Sequence, residues 1–112
     1  MNITERNTND VVILDISGNL VLGEGDTQLI GTTREALTEG KKNLLFNLGD
    51  VTYVDSAGLG ALISCYSSTA REGGRLKLFN LTKRIQDLLA ITKLLTVFEV
   101  YDDEQAAVES FA

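Results

Sequence analysis

The chain has 112 residues, 44% hydrophobic and 23% charged, with a formal net charge of −6. That size suits one domain with one core, and the acidic balance argues against nucleic acid or an anionic membrane surface as partner, since both call for clustered Lys and Arg. Histidine is absent and Cys65 is the single cysteine, which excludes Ser-His-Asp and Cys-His nucleophiles, a structural zinc site and an intramolecular disulfide.

Ile3 to Arg6 reads as a short edge strand, and Asn7-Thr8-Asn9-Asp10 is turn chemistry. Val11 to Ile16 is a β-branched run and a buried strand. Together they predict an opening hairpin. Gly18-Asn19 begins a loop that holds Gly23 and Gly25. Asp26 then reads as the N-cap of a helix with Leu29, Ile30, Thr33, Ala36 and Leu37 on one stripe, closed by Gly40 at C′. Leu44 to Leu48 is nearly continuous in apolar residues, as in a strand covered on both faces. After a Gly49-Asp50 break, Val51 to Val54 continues the β path to Asp55-Ser56. Beyond Gly73-Gly74, Leu76 to Leu81 is another strand. Thr82 caps a helix with Ile85, Leu88 and Leu89 inward. A last strand spans Val97 to Tyr101, and Asp102 with Gln105 forms a capping-box-like start to a final helix.

The β-to-α junction at Asp55-Ser56 organises the chain. A helix starts at or just after Ser56, where the hydroxyl either serves as a plain N-cap or is offered to a partner. Unpaired amides and the helix dipole favour an anion there, so a phosphate on this oxygen is electrically tolerable. Along the helix, Leu59, Leu62, Ile63, Tyr66 and Ala70 have the spacing of one buried stripe. The remaining face carries Ala57, Gly60, Ala61, Ser64, Ser67 and Ser68, with no charge before Arg71. Such a face is cheap to desolvate and suits either a partner's close approach or cover by the protein's own loops or a second subunit.

The order β, β, α, β, α, β, α, β, α implies an α/β domain with a mixed, partly parallel sheet. Sites on such sheets gather at the carboxyl ends of strands, which puts the Asp55-Ser56 junction, the Gly18–Gly25 loop and the Asn80–Thr82 turn on one predicted rim. No Walker or calcium loop is present, and Gly58-Leu59-Gly60 lies in a helix start and is no dinucleotide fingerprint. Asp26, Asp50 and Asp55 are carboxylates without an accompanying base or phosphate cradle. A non-enzyme without cofactor or metal is the expectation. No apolar run would span a bilayer and no signal-peptide pattern opens the chain, so a cytoplasmic location is expected.

Over nearly its whole length the chain resembles a STAS domain, the fold of bacterial anti-sigma factor antagonists. The resemblance is carried by Asn47-Leu48 leading into Val51-Thr52-Tyr53-Val54-Asp55-Ser56-Ala57-Gly58-Leu59-Gly60. It continues through Gly73-Gly74, Leu88-Leu89, Leu94-Leu95 and Val97-Phe98. It implies one domain over residues 1–112, a mixed sheet of four to five strands, and about four helices packed mainly on one face. It further implies that Ser56 accepts a phosphate from a partner that is both anti-sigma factor and serine-protein kinase, and that a PP2C-type phosphatase removes it. The unmodified form would bind the anti-sigma factor and release the sigma factor. Ala57 stands where many relatives have a second serine, and Val21 stands at the acidic position of the usual Gly-x-Leu-Asp loop. The expected partner-binding residues are Asp55, Ser56, Ala57, Gly58, Gly60, Ala61 and Ser64, with Asn19 and Val21 from the first loop. The chain is expected to be a monomer or weak dimer. The alternative is a constitutive STAS scaffold or accessory subunit, of stressosome or lipid-transport kind, unmodified at Ser56.

Overall fold

Asn9 and Asp10 take positive φ angles of 49° and 64°, the backbone of a two-residue hairpin turn whose twist suits antiparallel strands. They join β1 (Asn2–Thr8) to β2 (Val11–Leu20) in the computed structural model, which describes residues 1–112. Then follow α1 (Asp26–Thr38), β3 (Asn43–Val54), α2 (Ser56–Arg71), β4 (Arg75–Phe79), α3 (Lys83–Ile91), β5 (Val100–Tyr101) and α4 (Glu104–Glu109). The sheet order is β1-β2-β3-β4-β5, with β1 antiparallel to β2 and every other neighbouring pair parallel. This is the mixed α/β architecture expected.

Alternation along the central strands decides the packing. Val12, Leu14, Ile16, Leu44, Phe46, Leu48, Leu76 and Leu78 share one core with Leu29 and Leu37 of α1, Leu62 and Cys65 of α2, and Ile85 and Leu89 of α3. Their neighbours Val11, Ile13, Leu45 and Phe79 face the other way, onto Ala107, Val108 and Phe111. Both faces are covered, which is why β2 and β3 read as nearly unbroken apolar runs. Burial pushes the Cys65 thiol up to about 11, so it packs as a small apolar residue.

The glycine helix stops are where the sequence puts them. Gly40 and Gly73 have φ of 82° and 78°. Lys41 N donates to Ala36 O at 2.9 Å and Gly74 N to Thr69 O at 2.9 Å, the long hydrogen bond of a Schellman motif. Thr82 Oγ1 accepts from Ile85 N at 3.2 Å, so it caps α3 as expected.

Several boundaries differ from expectation. The first two strands run longer, and β2 continues through Leu20, so Gly18 and Asn19 belong to a strand and the loop shrinks to residues 21–25. The Gly49-Asp50 break is absorbed as irregular register against β2, because the Asn47 side chain satisfies the Gly49 amide at 3.1 Å. Of the last strand expected over Val97–Tyr101, only Val100–Tyr101 forms, as β5, after a 3-10 turn over Leu94–Thr96. The cap of α4 is Asp103, whose carboxylate accepts from Ala106 N at 2.8 Å, one residue beyond the expected Asp102.

The Asn80–Thr82 turn is not on the Ser56 rim. Strand β4 ends opposite Asn47, well before β3 ends at Val54. Asn80 instead lies against Gly49 and donates to Asn47 Oδ1 at 3.1 Å.

Candidate functional site

The site forms where β2 and β3 end together and α2 begins. Asp55, not Ser56, is the N-cap of α2. It has an extended backbone, and its Oδ1 accepts from Gly58 N at 2.8 Å. A carboxylate serves here because the first-turn amides lack helical partners and carry the positive end of the dipole. Its other oxygen accepts from Leu22 N at 3.1 Å. The Gly58 amide first, then that of Leu22, holds the Asp55 carboxyl below its ordinary range. The anion position foreseen at this helix start is thus served by the protein's own Asp55. Ser56 is relieved of capping and is exposed as the first residue of the helix.

The loop beside it is short and tied down. Val21 O accepts from Gly25 N at 3.1 Å. Asp26 is the first residue of α1 rather than its N-cap, which is Gly25. Its Oδ1 accepts from Gly23 N and Thr27 N, both at 2.8 Å. Asn19, expected in the loop, sits at the end of β2 and accepts from Thr52 Oγ1 at 2.7 Å. Val21 is half-buried.

Helix α2 is turned relative to the expected stripe. Its buried line is Gly58, Ala61, Leu62, Cys65 and Thr69. Ile63 and Ala70 are exposed, while Leu59 and Tyr66 are half-buried on a flank, Tyr66 edge-on to Phe98 with ring centroids 5.2 Å apart. The cause is a close approach of backbones. A Cβ on Gly58 would lie 1.9 Å from Leu20 O, so only small residues fit the side of α2 nearest the end of β2. Gly58 and Ala61 were expected at the partner surface, and the fold puts both inside. Of the other expected contact residues, Ser56 and Gly60 are exposed, while Asp55, Ala57 and Ser64 are half-buried. A Cβ on Gly60 would meet nothing within 4 Å.

The composition-based reading missed the large apolar residues around Ser56. Leu22 is 74% exposed, Tyr53 50% and Ile63 39%. Leu22 follows the loop to Asp55, Tyr53 precedes the junction on β3, and Ile63 lies two turns along α2 on the side that carries Ser56. One signal for Leu22 was available: a bulky apolar residue isolated in a Gly-rich loop has no core to join. No cluster of His, Cys, Asp or Glu is placed to hold a metal ion, and no helix is long and apolar enough to cross a membrane.

Residues 2–107 match the sequence profile of the STAS domain. The chain is 31% identical to the anti-sigma-B factor antagonist of Bacillus subtilis (strain 168) over 108 residues, covering 94% of each chain. It is also 31% identical to the anti-sigma-B factor antagonist of Listeria monocytogenes over 106 residues, covering 91% of this chain and 88% of the relative. The crystal structure of TM1081 from Thermotoga maritima superposes with a TM-score of 0.90 at 25% identity, over 97% of this chain and 93% of that one. The phosphorylated form of SpoIIAA, a Bacillus cell fate determinant, shares the fold, with a TM-score of 0.77 at 17% identity over 99% of this chain and all of that one. The chain belongs to the STAS domain family, and the Bacillus and Listeria relatives it matches are anti-sigma factor antagonists.

Proposed function

We propose that this chain is a phosphorylation-switched binding module whose partner is an anti-sigma factor with serine-kinase activity. The observation that carries the reading is the exposed Ser56, freed from capping by Asp55 and bordered by exposed Leu22, Tyr53 and Ile63. A partner seated on this rim removes those apolar side chains from water, at roughly 25 cal/mol per Å² buried. Gly60, with open space above it, lets the partner's backbone come close to α2.

Transfer of the γ-phosphoryl group of ATP to the Ser56 oxygen forms a P–O bond, releases ADP and frees the hydroxyl proton. The product carries about −1.5 to −2 charge and three acceptor oxygens. That charge sits beside Asp55, whose carboxylate already engages the nearest amide. The phosphate therefore stays in water, and a docking partner has to strip it. A loss of ~3 kcal/mol on that account weakens binding about a hundredfold. A PP2C-type phosphatase restores the binding form.

Incubation with the kinase partner and ATP, followed by peptide mass spectrometry, tests the reading. One phosphate is expected, on Ser56, and Ser56→Asp is expected to lose the partner. Phosphate elsewhere, with Ser56→Ala still fully responsive, overturns it.

A further inference from the structure

Strand β3 is paired on its β4 side only through Asn47, opposite Phe79, but on its β2 side through Val54. The upper part of β3 therefore has a bare edge. Leu20 O accepts from Asp55 N at 3.4 Å, which turns residues 53 and 55 toward β2. By alternation, Val54 directs its amide and carbonyl groups the other way; the register slips between Val51 and Tyr53, so the alternation stops short of Thr52.

Val54 lines a groove of about 520 Å³ together with Tyr53, Arg84, Asp87, Leu88 and Ile91. The four α3 residues fall at i, i+3, i+4 and i+7, one face of the helix. Ile91 at its far end is 81% exposed. The charges are unequal in availability. Asp87 is engaged by Lys83 at 3.3 Å, and Arg84 enters none of the ion pairs of the fold.

We infer that this groove receives an extended segment of a partner protein, added as a strand beside Val54 at the end of β3, with apolar side chains on Leu88 and Ile91 and a carboxylate for Arg84. An unpaired strand edge beside apolar surface is a template for such addition. The bare backbone groups select an extended peptide, because a lipid tail has no amide or carbonyl to offer them and a helix has spent its own. The cation selects an acidic one. The inference stands on the β3 edge and α3, and holds whether or not Ser56 is phosphorylated.

The test uses the whole chain and two fluorescein-labelled six-residue peptides, one alternating Val with Glu and one alternating Val with Lys. Fluorescence anisotropy should show the Glu peptide binding about tenfold more tightly than the Lys peptide. The same peptide should slow amide exchange at Val54. Arg84→Glu should reverse the preference, and Ile91→Asp should weaken the Glu peptide about tenfold; both positions are exposed, so both variants should fold. Equal affinity for the two peptides, or protection confined to other residues, overturns the assignment. So does sedimentation showing the groove closed by a second copy in a dimer that Ile91→Asp dissociates.

Discussion

Asp55 Oδ2 accepts the backbone amide of Leu22 at 3.1 Å, across 33 residues of chain. Since Oδ1 caps α2 through Gly58, one carboxylate sets both the loop and the helix that frame Ser56. Asp55→Ala removes both bonds and should lower the thermal midpoint. The Leu22 amide should exchange faster in the same variant. Asp55→Asn keeps an acceptor and should cost less.

The same bonds predict a response to acid. The Gly58 and Leu22 amides hold the Asp55 carboxyl below its usual range, and Arg6, then Asn47, do so for Asp15. A carboxylate whose folded pKa is depressed contributes stability that is fully present above the unfolded value, about 4, and is lost as pH falls through the folded value. Urea midpoints should hold level between about pH 7 and pH 5 and fall below about pH 4. Asp15→Asn combined with Asp55→Asn should be less stable at neutral pH and fall less steeply in acid.

Two glycines of α2 should respond to alanine in opposite directions. At position 58 the new Cβ meets Leu20 O, a backbone atom that has no room to yield, so Gly58→Ala should cost about 3 kcal/mol or more. At position 60 the space is open, and Gly60→Ala should gain about 0.5–1 kcal/mol from helix propensity. Urea unfolding separates them. Partner affinity should nonetheless fall in Gly60→Ala if a backbone approaches that face.

Because Asp55 is the cap, Ser56→Ala should change stability by less than about 0.5 kcal/mol. A loss of about 1 kcal/mol, the usual worth of a cap, would assign Ser56 the capping role. Partner binding measured alongside then reports on the hydroxyl without a folding contribution.

On the opposite face of the sheet, Lys77 holds the end of the chain. Its Nζ donates to Ser110 O and Oγ, both at 3.0 Å, and lies 4.6 Å from the Phe111 ring centroid. Arg75 adds a bond to Phe111 O. Lys77→Ala should loosen α4 at a cost of about 2–3 kcal/mol, with amide exchange rising first at Ala107 and Val108. Lys77→Met, which keeps the apolar stem, should cost less.

The order of strands and helices, the stops at Gly40 and Gly73 and the Thr82 cap were all legible in the sequence, because each depends on residues within a turn or two of one another. The resemblance to STAS domains, carried by the residues around Asp55-Ser56, was legible for the same reason. The azimuth of α2 was not. Leu59, Ile63 and Tyr66 have a core-like spacing, but which side of a helix faces inward depends on what lies beneath it. Beneath α2 is the carbonyl of Leu20, far away in the chain, and it admits only Gly58 there, with Ala61 and Leu62 following it inward and Ile63 facing water. The same distant contact, with Asp55 reaching Leu22, took capping away from Ser56 and left the serine exposed. Local chemistry named the junction, and long-range packing decided which of its groups face outward.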